Sequence, residues 1–217
     1  MLTSNEVQTI AATYSSDENE IDGFVTLWRF LSENTYYFFW RGTAQPNLHE
    51  QTGANELAKR YFKYKFAKVS LSTPQTVPDE MVSVVLKRFY NHSLEKIKTI
   101  KIEHQQSMAA ENMIGELLER YIDSISSKIG WVWCCGSLVR HVDFIKPETS
   151  GYRLLQIKNR NNSENSSSKA IRDNTSIEHW FRTYARTGKT NWGNFPDTSL
   201  RSSLSEAGFI SFIENYK

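Results

Sequence analysis

The sequence predicts an α/β protein with a helical N-terminal part, followed by a mixed central β-sheet flanked by helices. Two observations support this prediction. Apolar residues recur with helical spacing in the first half of the chain, and two β-rich runs separated by a turn follow Gly130. We expect a single domain over residues 1–217, with a possible helical subdomain over 1–75 and a functional core over 105–196.

The composition is that of an ordinary globular chain. Of the 217 residues, 39% are hydrophobic and 23% are charged, which excludes fibrous and wholly disordered classes. No apolar run approaches the roughly 18 residues that a membrane-spanning helix needs, so no membrane partner is expected. The N-terminal residues lack the basic start and apolar middle of a signal peptide, so we expect the protein to stay in the cytoplasm.

The two cysteines, Cys134 and Cys135, are adjacent in an apolar run. Neighbouring residues of a strand point to opposite faces, so a disulfide between them would be strained and reduced thiols are expected. A structural zinc site would need a second cysteine pair or a closely spaced histidine pair, and the sequence has neither. We interpret both cysteines as small apolar residues of the core.

Apolar spacing predicts four helices before the β-rich region. They are a helix within 23–41 that ends near 32–35, a helix over 54–71, a helix over 79–100 after the proline-containing segment 73–80, and a helix over 107–128. The apolar stripe of the last helix centres on Leu118 and Ile125. Glu116 points away from this stripe, whereas Glu111 and Glu119 lie nearer its flanks.

Residues 131–145 predict a buried strand or strand pair, and 152–160 predict the next strand after a turn over 146–151. If the turn is symmetrical about Thr149 and Ser150, antiparallel pairing puts Asp143 directly across from Gln156. Lys158 then lies two residues along on the same face, and Ile157 points into the core. A carboxylate among buried residues is costly unless a cation pairs with it.

These groups suit the hydrolysis of a phosphodiester. Asp143 supplies charge for a hard divalent cation, and the Gln156 amide oxygen and the Ile157 backbone carbonyl supply neutral ligands. Lys158 can orient the attacking water or help to deprotonate it.

The arrangement resembles the core of the PD-(D/E)XK nucleases. Here it reads HVDFIKP and then QIK, after the helix GELLERYI. Two positions depart from the family pattern, because Val142 stands in place of its proline and Gln156 in place of its second acid. The strings GWVWCCGSLVRHVDFI and HWFRTYARTGKTNWGNFP look like the SinI and AvaII group of type II restriction endonucleases.

This resemblance implies a restriction-endonuclease-like fold and an enzyme that uses Mg²⁺ to cut double-stranded DNA at a short palindrome, GGWCC in this group, leaving a 5′-phosphate. It implies a catalytic set of Asp143, Gln156 and Lys158. Glu119 is the implied helix carboxylate, with Glu111 as its substitute. Since a palindrome is cut on both strands, a twofold homodimer is expected.

Basic charge is concentrated after the β-rich run. Residues 1–150 contain 16 Lys and Arg against 18 Asp and Glu, whereas 151–201 contain 9 against 4. Arg and Asn side chains bind phosphates and base edges in DNA grooves. The predicted DNA contacts are Arg160, Asn161, Asn162, Asn165, Ser166, Lys169, Arg172, Arg182 and Lys189. We expect structural roles for His179, Trp180 and Trp192.

Two alternatives stay open. One is a nuclease of the same core that recognises DNA structure rather than sequence, and the other is a DNA-binding module made catalytically silent by Gln156. Discrete cleavage bands would separate the first alternative from a restriction enzyme, and salt-sensitive binding without cutting would identify the second.

Overall fold

The computed structural model describes residues 2–42, 44–71, 79–161 and 176–216. The helices are α1 (Ser4–Ala11), α2 (Glu18–Glu33), α3 (Gln51–Phe66), α4 (Glu80–Tyr90), α5 (Leu94–Ser126) and α6 (Glu206–Glu214). The strands are β1 (Val132–Trp133), β2 (Phe144–Glu148), β3 (Gly151–Arg160) and β4 (Ile177–Thr183). They form one sheet in the order β1-β2-β3-β4, antiparallel except for the parallel pair β3 and β4. The predicted α/β class with a mixed sheet is confirmed.

The chain divides into two compact units. One contains residues 1–68 and 118–217, and the other contains residues 69–117. The N-terminal helices fall in the same unit as the sheet. Aromatic contacts join these elements, since Phe24 of α2 packs against Tyr61 and Phe62 of α3, and Phe30 of α2 packs against Tyr152 of β3. The helical subdomain over 1–75 stays a prediction.

Capping residues define where several of the helices begin and end. Asp17 caps the start of α2, which ends at Glu33 as predicted. The predicted helix over 79–100 is wrong as a single element, because Asn91 adopts the left-handed conformation and ends α4 at Tyr90. The residues beyond it belong to α5, which begins at Leu94 and is much longer than the helix predicted over 107–128.

The hairpin of β2 and β3 follows the predicted register. Phe144 pairs with Leu155 and Glu148 with Gly151, so the turn contains only Thr149 and Ser150. The predicted turn over 146–151 was too long, because Lys146 to Glu148 continue the strand. β1 contains only two residues and pairs with the start of β2.

Both cysteines are buried and free, as predicted. Burial raises the pKa of the Cys134 thiol well above its usual range, and raises that of Cys135 as well. Such thiols stay protonated and behave as apolar side chains. Within the described ranges, no helix is both long enough and apolar enough to span a bilayer.

Candidate active site

Asp143 lies one residue before β2, at a bend in the chain. Its backbone N–H donates to the carbonyl of Leu155 at 2.9 Å, and its Oδ2 accepts from the backbone N–H of Ile157 at 2.7 Å. The carboxylate thus replaces a backbone acceptor at the end of the β2 and β3 ladder. Asp143 was predicted to pair directly with Gln156. Instead, the bend lets Asp143 bond to the two neighbours of Gln156, Leu155 and Ile157. Irregularities of this kind are frequent next to active sites.

The pKa of Asp143 is raised to about 6. Burial of the carboxyl group raises it, while the N–H of Ile157 and the positive charge of Lys158 act in the opposite direction. The ionised carboxylate is therefore not fully compensated by its protein partners. A divalent cation would stabilise the ionised form.

Gln156 and Lys158 lie two residues apart on β3, so their side chains point to the same face. The residues between and before them, Ile157 and Leu155, are buried as predicted, whereas Lys158 is exposed. The Asp143 carboxylate accepts from the N–H of Ile157, which lies between Gln156 and Lys158 on β3. The hairpin therefore brings the carboxylate next to the β3 segment that carries these two residues.

Glu119 lies within electrostatic reach of the same region. Its carboxylate accepts a hydrogen bond from Nε1 of Trp133 at 2.7 Å. Trp133 is followed by Cys134, whose backbone N–H donates to the carbonyl of Asp143 at 2.8 Å, so this short segment connects the partner of Glu119 to Asp143. Glu111, by contrast, is exposed and belongs to the compact unit of residues 69–117.

Trp133, which holds Glu119, is itself fixed by two cations. The guanidinium of Arg120 lies 5.0 Å from the ring centroid, and the ammonium of Lys65 lies 5.6 Å from it. Arg120 also donates to the backbone carbonyls of Tyr64 and Lys65. These contacts define the orientation of the indole and, through it, that of Glu119.

The loop between β1 and β2 approaches Asp143 in an unusual backbone conformation. Gly136, Ser137 and His141 have φ angles of 76°, 53° and 61°. Such values are costly for residues other than glycine and cluster at functional sites. At Gly136 a side chain is also excluded by space, because an added Cβ would lie 2.6 Å from a ring carbon of Tyr64.

The donor groups fit a hard cation with few protein ligands. The carboxylate of Asp143, the amide oxygen of Gln156 and the carbonyl of Ile157 are all oxygens, which Mg²⁺ prefers. Across the described parts of the chain, no group of three or more His, Cys, Asp or Glu side chains is placed to hold a metal ion. One carboxylate with neutral oxygens suits Mg²⁺ because this ion keeps several of its waters when it binds.

Four of the predicted DNA contacts lie within the described residues. Arg160 and Lys189 are exposed. Oδ1 of Asn161 accepts from the N–H of Ala185 at 2.6 Å and so supports the turn after β4. Arg182 donates to Asn159 and Glu206, which ties β4 to β3 and α6. The predicted contacts Asn162, Asn165, Ser166, Lys169 and Arg172 lie outside the described residues.

Sequence reasoning missed two residues near these groups. His179 pairs with Gln156 in the parallel register of β3 and β4, so it lies on the face that carries Gln156 and Lys158. Arg186 is exposed in the turn that Asn161 supports. Only the parallel pairing of β3 with β4 places His179 there, and the sequence pattern does not predict which strands pair across a long connection. Trp180 and Trp192 are buried, as predicted.

Asp197 is the centre of a second charged cluster, on the opposite side of the β2 and β3 strands. Its Oδ2 accepts from Nε1 of Trp131 at 2.9 Å and from Nζ of Lys146 at 3.0 Å. Its Oδ1 accepts from the N–H and the hydroxyl of Ser199. Burial opposes ionisation here too, but these donors outweigh it and hold the pKa of Asp197 far below its usual range.

A mixed sheet with an aspartate, an amide and a lysine on adjoining strands is an arrangement expected of a cation-dependent nuclease. Comparison with known proteins agrees with that class: the chain belongs to the SinI restriction endonuclease family, whose profile matches residues 6–217.

Two curated relatives are similar over 145 residues. The chain is 51% identical to the type II restriction enzyme Eco47I of Escherichia coli and 49% identical to the type II restriction enzyme SinI of Salmonella infantis. Each match covers 66% of this chain and 63% of the relative. The matched segment thus spans less than two thirds of the length of these relatives.

Proposed function

We propose that this protein is a type II restriction endonuclease with a PD-(D/E)XK core in which glutamine replaces the second acid. The observation that carries the proposal is the hydrogen bond from the Ile157 N–H, which lies between Gln156 and Lys158 on β3, to the Asp143 carboxylate, in a chain of the SinI family. Its substrate would be double-stranded DNA with a short palindromic site, GGWCC by resemblance. We place it in the cytoplasm, in a restriction-modification system.

Asp143, Gln156 and the carbonyl of Ile157 would hold Mg²⁺. When bound, the ion polarises the scissile phosphate and lowers the pKa of a coordinated water. Asp143 contributes the negative charge, and its raised pKa, caused by burial, supports the proposal that a further cation compensates it. The N–H of Ile157 holds one carboxylate oxygen and thereby fixes the orientation of the other.

Lys158 would orient the attacking water and stabilise the charge that develops on the phosphate. Its ammonium is exposed at the end of the site and interacts with Asp143, so it can reach a bound phosphate without losing its position. In the reaction the water oxygen bonds to phosphorus and the bond from phosphorus to the 3′ oxygen breaks. The products are a 5′-phosphate and a 3′-hydroxyl.

DNA contacts would come from the exposed basic groups around the ends of β3 and β4. Arg160 lies at the end of β3, and Lys189 and Arg186 lie beyond β4. The polar residues from Asn162 to Arg172 that follow β3 in sequence remain predicted contacts. A palindromic site presents the same sequence on both strands, so two copies of the chain related by a twofold axis would each cut one strand.

The test is incubation of the purified protein with a long unmodified DNA in Mg²⁺ or in EDTA, followed by sequencing of the fragment ends. We expect discrete fragments in Mg²⁺, with ends at GGWCC. A smear of fragments would favour a structure-specific nuclease, and a mixture of discrete ends at another palindrome would correct only the site.

Lys158→Ala should lower the cleavage rate by about 1000-fold, because the charge and the orientation of water are lost. Binding to a GGWCC duplex in Ca²⁺, measured by gel shift, should remain. Lys59→Ala, which removes an exposed lysine of α3, is the matched control and should cleave like the wild type. Cleavage by Lys158→Ala within about tenfold of the wild-type rate would exclude Lys158 from the catalytic set.

A DNA-binding protein without catalytic activity is the second candidate. It is favoured by the single carboxylate of the Asp143 ligand set, since Gln156 adds no charge to attract a cation. The same assays decide between the two, because this candidate would bind DNA with strong salt dependence and leave it intact in Mg²⁺.

A further inference from the structure

The compact unit of residues 69–117 lacks an apolar core of its own. Among its described residues only Ile97, Ala109 and Leu117 are buried apolar side chains. Helix α4 buries none of its residues, although most of them are apolar. Exposed apolar surface of this extent is typical of a site of protein–protein contact.

The exposed apolar residues of α4 form a stripe. Met81, Val85 and Phe89 recur every four residues and are 62%, 46% and 76% exposed. Next to them on the helix, Val82 and Leu86 line a groove of about 370 Å³ between α4 and α5. The stripe therefore forms the rim of an apolar groove.

We propose that this stripe and groove are the surface at which a second copy of the chain docks, with the two α4 helices antiparallel about a twofold axis near Val85. This proposal rests on the proposed function, because cutting both strands of a palindrome calls for two copies. The surface is thereby assigned to the protein–protein contact rather than to DNA.

The stripe is symmetrical in the way that a twofold contact demands. An axis at Val85 puts Met81 opposite the partner's Phe89, and the reverse contact follows from symmetry. Charge is complementary as well, because α4 begins with Asp79 and Glu80 and ends with Lys87 and Arg88. Antiparallel α4 helices would bring each acidic end to a basic end, and their dipoles would also oppose favourably.

The exposed apolar area is large enough for a stable dimer. Further large apolar residues of the unit are exposed in addition to the stripe, namely Val84, Tyr90, Leu94, Ile102 and Met108. Their combined area is on the order of the roughly 800 Å² per partner that a specific interface buries. DNA binding needs a basic or polar surface, whereas the exposed surface of α4 is mainly apolar.

The first test is the association state of the wild type and of Val85→Asp by analytical ultracentrifugation. The wild type should be a dimer, and Val85→Asp should raise the dimer dissociation constant by at least about 100-fold, since two unpaired carboxylates would be buried at the axis. Val85 is exposed in the single chain, so the circular dichroism spectrum should not change. A monomeric wild type, or a Val85→Asp variant that dimerises as tightly as the wild type, would overturn the proposal.

The second test uses Val85→Cys, which changes packing little. The native thiols of Cys134 and Cys135 are buried, so a disulfide between two chains under mild oxidation reports only on the new cysteine. Lys87→Cys, on the other side of α4, is the matched control. Rapid cross-linking of Val85→Cys and slow cross-linking of Lys87→Cys support the proposal, and equal rates overturn it.

DNA cleavage by the wild type is measured in parallel and keeps the two proposals apart. A protein that dimerises through Val85 without cutting DNA would contradict the proposed function and leave the docking surface supported. If the protein cuts at a palindrome while Val85→Asp remains dimeric, the proposed function is supported and the docking surface is overturned.

Discussion

Asp143 and Asp197 are two carboxylates beside the same pair of strands, and their surroundings shift their pKa values in opposite directions. Asp197 accepts from Trp131, Lys146 and Ser199, and its pKa is lowered. Asp143 accepts one backbone hydrogen bond from Ile157, and its pKa is raised to about 6. Burial disfavours ionisation at both positions, so the difference comes from the number of donors that the fold supplies.

This contrast agrees with a structural role for Asp197 and with the metal-binding role that we propose for Asp143. The donors around Asp197 satisfy its carboxylate completely within the protein, and the pair with Lys146 joins β2 to the segment after β4. The carboxylate of Asp143 has fewer donors, and protonation or a bound cation would compensate its charge. Strand alternation makes this possible on one hairpin, because Arg153 faces Asp197 while Gln156 and Lys158 point the other way.

The comparison is tested most severely by Asp143→Asn. Cleavage should fall by about 1000-fold, because the only charged ligand is lost, while the amide oxygen still accepts from Ile157. Stability should rise in the same variant. A raised pKa means that the ionised form opposes folding, so the wild type should lose stability relative to Asp143→Asn as the pH rises from 3.8, the usual pKa of the group, to about 6.

Melting temperatures of both proteins at about pH 4 and pH 8 check this. We expect a small difference near pH 4 and a gain of a few degrees for Asp143→Asn at pH 8. A variant that is less stable than the wild type at pH 8 would show that Asp143 is a structural charge like Asp197.

Asp197→Asn should have the opposite consequences. Lys146 and Arg153 would lose a buried partner, and stability at pH 7 should fall by about 3 kcal/mol. The lowered pKa of Asp197 means that its contribution is present at neutral pH and is lost as the pH falls below its unfolded value, so the variant should show a weaker acid dependence. Urea denaturation from pH 3 to 7 measures both effects. Cleavage per folded molecule should be unchanged, and a loss of activity without a loss of stability would contradict the assignment.

Glu178→Gln tests the same comparison at a more exposed carboxylate, where the smallest effect on stability is expected. Arg153 donates to both oxygens of Glu178, whose side chain is 37% exposed, against 8% for that of Asp197. Its removal should cost less than about 1 kcal/mol in urea denaturation, and less still in high salt. A cost equal to that of Asp197→Asn would mean that burial does not distinguish the two partners of Arg153.

The sequence was sufficient to predict the hairpin and the residues it brings together. Alternation over residues 152–160 and a two-residue turn determine which side chains share a face, so Gln156 and Lys158 were placed correctly on one face from local pattern alone. Asp143 was placed less accurately. Its side chain competes with the backbone for the N–H of Ile157, and such a bend has no signature in apolar spacing.

Longer-range features could not be predicted. His179 meets Gln156 only through parallel pairing, which joins strands that are separated by a long connection. Asp197 meets Lys146 across 51 residues, and nothing near either residue indicates that contact. The division into residues 69–117 and the remainder depends on which apolar faces are covered, and apolar spacing does not reveal that.

The site residues Asp143 and Lys158 are close in the chain, and this has a consequence for the order of folding. A hairpin forms on the microsecond scale because its contacts are local. The pairing of β4 with β3 must instead close the long segment between them, which is slower. We therefore expect the catalytic groups to assemble early in folding and the residues after β4 to join later, so that hydrogen exchange should show protection in β2 and β3 before it shows protection in β4.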